Sequence, residues 1–499
     1  MPVQHYRRTL PLFASPVKPV RPRLSAGLLT TCLYLFRNQK WSRALRILPL
    51  LLVFLIPGQG RALEAHRNIA DPVASIEAAN RICIKCHAQA AADLRQSVHW
   101  TWLRTMTNNG SQFANDLRTD LSRFGLSAAS NPGQCLRCHI SALPENRETE
   151  TEPANSINCL VCHDTTGRYG AGVSAKELTG IVQQAGLPMP RNCRTCHDRD
   201  CGLAPAGIRP DSTTDIHMVK YGFTCQQCHP GLGRHSMARR LENAPREEAT
   251  GSGCSACHGN SPHRMKQLNR HGRFVACQSC HIPGLASRNP VVLEWNWLIA
   301  GGVPRLWTIA GNPVLVDGFM AGSNIRPQYW WTNGKMRVYR RGERITGNLV
   351  VLCQPGSRAP DSLIMPFRTI TATQLKDRKY HYLLSPLLTG KHPPFWTTAS
   401  LNQAIGKGMA AMRLPFSGET APVTSLRYEQ INHGVVRASD ALGCMDCHGA
   451  HSHFPWQDLG YRQDPWMDQA APMPQPVAAP PAIGLPPIEE DVLVPDGNN

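Results

Sequence analysis

Cysteine and histidine recur in this chain at one fixed spacing, Cys-x-x-Cys-His. The copies are Cys83/Cys86/His87, Cys135/Cys138/His139, Cys159/Cys162/His163, Cys193/Cys196/His197, Cys225/Cys228/His229, Cys254/Cys257/His258, Cys277/Cys280/His281 and Cys444/Cys447/His448. This spacing marks the covalent attachment of a c-type haem. The two thiols take up the haem vinyl groups as thioethers, and the adjacent histidine becomes an axial ligand of the iron. The pattern therefore predicts eight covalently attached haem c groups.

Other uses of Cys-x-x-Cys explain the pattern less well. A structural zinc site combines such pairs in twos to close a tetrahedron of ligands, and a thioredoxin-like redox motif occurs once. Neither chemistry requires a histidine at the fifth position of every copy. Cys32, Cys201 and Cys353 lie outside the motifs. For the last two, a disulfide, a place near a haem and two separate buried thiols all stay open.

The first 62 residues have the composition of an export signal. Residues 1–46 contain nine Lys or Arg and no acidic residue, and an apolar run follows at Ile47–Ile56. A small-x-small cleavage site, Gly60-Arg61-Ala62, comes next, and the apolar run is too short to cross a bilayer. We expect a signal peptide at 1–62 and a periplasmic protein, with an uncleaved membrane segment as the alternative.

The net charge of +18 suggests a nucleic-acid partner at first sight. However, ten of the positive side chains and no acidic ones lie in the first 62 residues, so the remainder carries +8. Each ferric haem brings two propionates and therefore a net charge of about −1, so eight haems bring the exported protein to about neutral. We expect many arginines to pair with propionates and no nucleic acid to bind.

The spacing of the motifs limits the fold. The first seven motifs follow one another too closely for each segment to build a conventional core, so the haems must supply the apolar interior. We expect a mainly α fold with extensive loops wrapped around eight c-type haems. The predicted domains are the signal peptide at 1–62, a seven-haem domain at 63–289, a haem-poor region with the eighth haem at 290–464, and a Pro-rich disordered tail at 465–499.

Four stretches give definite predictions of secondary structure. Apolar residues at helical spacing predict a helix over residues 87–106. Between the seventh and eighth motifs, Trp330–Tyr339 predicts a small β-hairpin, because Asn-Gly at its centre favours a type I′ turn. Ile345–Leu352 is expected to add a strand, and Leu401–Met412 to form a helix.

Several local strings accompany the seven clustered motifs and the distant eighth. They are SVHWTW at 97–102, CLVCHDTTG at 159–167, DIHM at 215–218, LNRH at 268–271, WNW at 295–297 and Asn432-His433. In this combination, from about Ile82 to Trp456, the chain resembles the octahaem tetrathionate reductase family of c-type cytochromes, which is related to hydroxylamine oxidoreductase and nitrite reductases. The resemblance implies seven low-spin haems with two histidines each and one site haem, the second in sequence.

The chain departs from that family at the second motif. In the family, a lysine shortly after this motif is an axial ligand of the site haem, but no lysine lies between Cys138 and Lys176 here. The segment offers Glu145, Asn146, Arg147 and Glu148 instead. Arginine stays protonated and cannot ligate iron, although it suits a small anion. The candidate catalytic residues are therefore His139, under the iron, and Arg147.

Seven haems with two histidines each require seven histidines beyond those of the motifs. The predicted second ligands are His99, His217, His235, His263, His271, His392 and His433. His99, His217, His271 and His433 belong to the strings that resemble the family. His235 lies six residues after the motif histidine His229, and His263 lies five residues after His258. The other candidates, His66, His381, His451 and His453, are expected to have no part in iron binding.

Two classes of function stay open. The first is a multihaem oxidoreductase that acts on a small sulfur or nitrogen compound, such as tetrathionate, nitrite or hydroxylamine, at the second haem. The second is a non-catalytic electron relay in which every iron has six ligands. In either case the expected partners are redox proteins or a quinol-linked electron donor. The deciding feature is whether one haem lacks a strong second ligand.

Overall fold

The helices that carry the haem motifs are short, because each ends at or just after a Cys-x-x-Cys turn. In chain order the helices and strands of this half are α1 (Ile76–Cys86), α2 (Ala88–Arg95), α3 (Val98–Thr101), β1 (Leu103–Asn108), β2 (Ser111–Asp116), α4 (Leu160–His163), α5 (Ala175–Gln183), α6 (Pro190–His197), α7 (Ile216–Tyr221), α8 (Cys225–Cys228), α9 (Cys254–His258), α10 (Lys266–His271) and α11 (Cys277–His281). Side-chain caps support several of them. Ser75 caps α1, and Ser174 with Glu177 forms a capping box at the start of α5.

The computed structural model describes residues 66–69, 72–101, 103–108, 111–116, 121, 125–131, 157–170, 173–197, 215–229, 235, 253–286, 290–298, 314–316, 318–334, 336–388 and 400–467. From His66 onwards they belong to one compact unit. The predicted signal peptide and nearly all of the predicted tail lie outside these residues, and the boundary at 289/290 stays a prediction. None of the described helices is long and apolar enough to span a bilayer.

The single helix predicted for residues 87–106 is wrong. The structure has α2 and α3 there, and then strand β1, which pairs antiparallel with β2 from Leu103↔Asp116 to Asn108↔Ser111. The sequence between these strands is Asn109-Gly110, the same turn signal that supported a hairpin elsewhere. A local hairpin signal therefore prevailed over the apolar spacing that favoured a continuing helix.

The region between the seventh and eighth motifs is an eight-stranded mixed sheet rather than a small hairpin. Its strands are β3 (Val291–Asn296), β4 (Val314–Val316), β5 (Phe319–Gly322), β6 (Gln328–Thr332), β7 (Met336–Val338), β8 (Leu349–Pro355), β9 (Leu363–Asp377) and β10 (Thr420–Gln430). Their order is β4-β5-β3-β9-β10-β8-β7, and β6 also pairs with β9. The longest pairing joins β9 and β10 antiparallel, from Thr420↔Asp377 to Gln430↔Phe367. The sheet is therefore organised around β9.

The predicted hairpin at Trp330–Tyr339 is also wrong, because its two arms pair with other strands. β6 pairs with the first part of β9, whereas β7 pairs with β8. Tyr329, Trp330 and Trp331 of β6 are all buried. Since successive side chains point to opposite faces of a strand, β6 needs cover on both faces, which a two-stranded hairpin does not supply.

Two helices complete the C-terminal part, α12 (Leu401–Ala411) and α13 (Cys444–Cys447). α12 confirms the helix predicted for Leu401–Met412. It packs Ile405 and Met409 against Leu375 and Leu384, close to the end of β9. Gly408 faces the backbone of residues 385–387, and a Cβ added there would overlap the Ser385 carbonyl oxygen and approach the Leu387 nitrogen to 2.9 Å.

We expect Gly408→Ala to destabilise the protein by about 1–3 kcal/mol, because the methyl group must displace a backbone segment. Gly406→Ala is the matched control on the same helix, since its Cβ would meet nothing nearer than a Phe416 ring atom at 4.0 Å. That change should be neutral or stabilising by up to about 1 kcal/mol, from helix propensity. Thermal unfolding of the two holoproteins measures the difference. Equal melting temperatures would contradict the close approach at Gly408.

Candidate haem sites

Each of the seven motifs that the structure describes is held as about one turn of helix, and this geometry brings its three functional side chains together. The backbone N–H of the motif histidine donates to the carbonyl of the first cysteine in several copies: His87 to Cys83 at 2.8 Å, His163 to Cys159 at 3.0 Å, His229 to Cys225 at 2.8 Å and His448 to Cys444 at 2.9 Å. Side chains at positions i, i+3 and i+4 share one face of a helix. Both thiols and the imidazole therefore face the same side.

The second cysteines of several motifs lie nearer the surface than cysteine usually does. Cys86, Cys162, Cys228 and Cys257 are exposed, and Cys196 on α6 is half-buried. The sequence predicts a thioether at each of them. Because cysteine is among the residues most often fully buried, such exposure favours a group that covers them. Haem attachment at the individual cysteines stays a prediction.

The cysteines outside the motifs follow a different pattern. Cys353 is buried on β8, where it packs in the apolar core beside Met365 and Tyr428. Cys201 and Cys32 lie outside the described residues. The three possibilities raised for Cys201 and Cys353 consequently stay open.

Seven of the motif histidines have a second histidine ring opposite them. The distances between ring centroids are 6.1 Å for His66–His87, 6.4 Å for His99–His197, 6.1 Å for His163–His235, 6.1 Å for His217–His258, 6.2 Å for His229–His433, 6.1 Å for His263–His281 and 6.2 Å for His271–His448. The repeated value indicates a common cause.

One metal ion between each pair accounts for that distance. Two metal–imidazole bonds of about 2 Å, each extended by roughly 1 Å from ring nitrogen to ring centre, place the centroids about 6 Å apart. Two imidazoles in direct contact would have no reason to repeat this spacing at sites of different sequence. The paired rings are therefore able to hold seven irons, each between two axial histidines, as bis-histidine haems require.

The pairs account for six of the seven predicted second ligands. His99, His217, His235, His263, His271 and His433 each lie opposite a motif histidine. The seventh, His392, lies outside the described residues, as do Cys135, Cys138, His139 and Arg147 of the second site. The ring opposite His87 is that of His66, which the sequence analysis had set aside. No local string marked His66, because it precedes the first motif and its nearest polar partner, the Ala185 carbonyl, is distant in sequence.

Hydrogen bonds at Nδ1 fix the orientation of several paired rings and leave Nε2 for a metal. Backbone carbonyls face two of them, Gly186 O at 2.7 Å from His163 and Ala185 O at 3.0 Å from His66. The Asn269 side-chain oxygen lies 3.2 Å from Nδ1 of His263. No sequence pattern marks these partners, because they depend on the tertiary fold or on a neighbouring turn.

At two other histidine rings, the group that faces Nδ1 is a carboxylate. Nδ1 of His217 lies 2.9 Å from Asp215, and Nδ1 of His448 lies 2.6 Å from Asp464. A carboxylate facing Nδ1–H raises the basicity of a metal-binding imidazole. These two sites therefore differ electronically from those whose rings bond neutral oxygens.

Burial keeps several ligand candidates neutral. It lowers the pKa of His163, His271 and His281, and neighbouring histidines add to the effect in each case. A neutral imidazole is the form that binds a metal. The environment thus favours the state that an axial ligand needs.

The apolar surface around the paired rings fits a large flat cofactor. Most of the exposed large apolar side chains flank motif or paired histidines, namely Leu187, Met189, Val219, Tyr221, Met265, Met445 and Trp466. Met445, for example, lies inside the eighth motif and is 68% exposed in the polypeptide. Exposed apolar side chains beside a candidate site favour the binding of an apolar group there, and porphyrin is a group that would cover them.

Neighbouring sites are in direct contact through their cysteines. The Cys83 and Cys159 thiols are hydrogen-bonded, and so are those of Cys193 and Cys225, which raises the pKa of Cys159 and of Cys193. Cys447 lies near Cys280, and burial together with this neighbour raises its pKa to about 12. A cysteine sulfur bonded to haem no longer titrates, so the relevant observation is that cysteines of different motifs lie close together. It places the first site against the third, the fourth against the fifth, and the seventh against the eighth.

Comparisons with known proteins agree with this geometry. The family described as "Cytochrome c bacterial" matches residues 317–451, and "Cytochrome c554 and c-prime" matches residues 82–164. The crystal structure of octaheme cytochrome c from Shewanella oneidensis is similar with a TM-score of 0.72 and 28% identity, over 82% of this chain and 99% of that one. These matches support an octahaem c-type cytochrome of the tetrathionate reductase type. No curated protein matches it.

For this octahaem-type cytochrome, covalently bound haem c and a role in electron transfer follow from the comparisons. The resemblance found in the sequence is confirmed. The sequence identified the attachment residues because they are contiguous, whereas the pairing of distant histidines required the fold.

We expect His66→Ala to convert the first haem from low-spin to high-spin, because the iron above His87 loses its second imidazole. Electron paramagnetic resonance of the oxidised protein should show one low-spin haem fewer and one high-spin haem more. His451→Ala is the control, an exposed histidine in the turn after the eighth motif. A spectrum of His66→Ala identical to that of the unmodified protein would remove His66 from the ligand set.

Proposed function

We propose that the protein is an exported, periplasmic oxidoreductase with eight haems, in which seven bis-histidine haems exchange electrons with a second haem that binds a small sulfur or nitrogen compound. Tetrathionate, nitrite and hydroxylamine represent the substrate class. The observation that carries the proposal is the set of seven histidine pairs at 6.1–6.4 Å. These pairs assign two imidazoles to every motif except the second, whose histidine is His139.

Contact between the sites supports electron transfer. The cysteines link the first site to the third, the fourth to the fifth and the seventh to the eighth, as described above. Backbone contacts add to this chain near the sixth and seventh sites: Ile216 N–H donates to Val435 O at 2.8 Å, and Val436 N–H donates to His281 O at 2.9 Å. An electron delivered by a redox protein or a quinol-linked donor would then pass between the haems of these neighbouring sites.

The chemistry at the second haem follows from its sequence surroundings. The family's lysine is absent, and the segment offers Glu145, Asn146, Arg147 and Glu148 instead. A guanidinium beside an open iron would bind and orient a small oxyanion through charge-assisted hydrogen bonds. His139 would hold the iron from the other side. A haem iron held there would supply the exchange of electrons, and Arg147 would stabilise negative charge on the substrate.

One observation favours the second candidate, a relay with all irons six-coordinate. Asn131 accepts a hydrogen bond from Leu388 N–H at 2.7 Å and donates to Pro386 O at 2.9 Å. Cys135 and His392 each follow these anchored residues by four positions, within about 15 Å along an extended chain. His392 is the remaining predicted ligand, and the second haem is the remaining haem. Ligation there would exclude substrate from the iron.

Electron paramagnetic resonance of the oxidised protein separates the two candidates. We expect seven low-spin haems and one high-spin haem whose signal changes when nitrite is added, and intact mass should show eight haems on a chain that has lost about 62 residues. Arg147→Gln should weaken nitrite binding roughly tenfold or more, the usual loss for a hydrogen bond to a charged group. Eight low-spin haems unaffected by nitrite or hydroxylamine would instead establish the relay.

A further inference from the structure

The ring of His448 contacts two tryptophan rings and one carboxylate. Trp456 stacks on it at 5.3 Å and 17°, and Trp466 lies 5.1 Å away at 59°. Asp464, between the two tryptophans in sequence, accepts the Nδ1 hydrogen bond at 2.6 Å. The side chains of His448 and Asp464 are each only 11% exposed. The charge of the carboxylate is therefore applied to the ring with little screening by water.

Hydrogen-bond donors surround the Asp464 carboxylate. Its second oxygen accepts from Gly449 N–H at 2.6 Å, and its first also accepts from Trp466 N–H at 2.9 Å. With Nδ1–H of His448, three donors converge on the two oxygens. Hydrogen bonds of this kind stabilise a carboxylate charge beside the axial ligand.

Three of the described rings have a neutral oxygen at the corresponding position. His163, His66 and His263 bond neutral oxygens, as described above. Asp215 repeats the carboxylate arrangement at His217, but it also accepts the His217 and Val435 N–H groups and so caps α7. A substitution at Asp464 tests the effect of the charge more directly than one at Asp215. Asp464 caps no helix, and its other hydrogen-bond partners, Gly449 and Trp466, lie in the loop around His448.

We propose that Asp464 is a positioning residue that lowers the reduction potential of the eighth haem below the potentials of the haems whose axial rings bond neutral oxygens. The inference rests on the proposed axial ligation by His448. A carboxylate on Nδ1–H makes the imidazole a stronger donor, and its negative charge stabilises ferric over ferrous iron. An electron on the eighth haem would consequently move on to the adjacent seventh haem rather than remain there.

Spectroelectrochemical titration of the holoprotein tests the proposal. Asp464→Asn keeps an oxygen for Nδ1 but removes the charge, so one haem should become at least tenfold easier to reduce, which is 59 mV for a one-electron couple. Asp464→Glu should restore most of the original potential. Asp458→Asn, an exposed carboxylate on the same segment, removes an equal charge and should leave every potential unchanged. Asp464→Ser provides the same test where the asparagine variant fails to incorporate eight haems.

The possible failures can be told apart. Unchanged potentials in Asp464→Asn, with all low-spin signals retained, would overturn the role of Asp464 and leave the ligand pairs intact. An equal shift in Asp458→Asn would also overturn it, because general charge would then suffice. Low-spin signals that persist in full in His448→Ala would overturn the ligation itself and, with it, the proposed arrangement of haems.

Discussion

The described part of the structure depends on one constraint: the two imidazoles of each of the seven histidine pairs must lie about 6 Å apart, whatever their separation in sequence. One imidazole comes with the attachment motif and needs only a turn of helix. The other must be brought from elsewhere, as His271 is brought to His448 and His433 to His229. The fold can therefore be understood as a way of holding the second histidine of each pair in place.

The mixed sheet performs much of this task for the C-terminal sites. Residues around Ile364, at the start of β9, hold the seventh motif: Ala276 N–H donates to Ile364 O at 3.0 Å, and the Ser279 hydroxyl donates to the same oxygen at 2.8 Å. Leu442 N–H donates to Cys280 O at 2.9 Å, just before the eighth motif. Strand β9 and these hydrogen bonds thus fix two neighbouring haem motifs relative to each other.

What the sequence predicts well is local. Cys-x-x-Cys-His is contiguous, so its chemistry and its helical turn need no knowledge of the fold, and α12 followed from its apolar period. The sheet was underestimated, because strands such as β6 pair with distant partners and carry no local sign of them. The dipeptide Asn-Gly, which favours a hairpin turn, occurs at 109–110 and at 333–334. The strands on either side of 109–110 pair with each other, whereas those on either side of 333–334 pair with other strands.

The choice of second ligands shows the same limit. A demand for seven further histidines was enough to identify six of the paired residues, but it could not rank His66 above His392, because the sequence does not say which histidine reaches which iron. Asp464 was equally hidden, since its role depends on the loop that returns it to His448.

X-ray diffraction from crystals of the holoprotein, recorded at the iron absorption edge, tests the central claim most directly. We predict seven iron peaks, each midway between the two rings of one named pair, and an eighth at the second motif. An iron coordinated by any other pair of residues at one of the seven sites, or a pair such as His66 and His87 with no iron between its rings, would contradict the account.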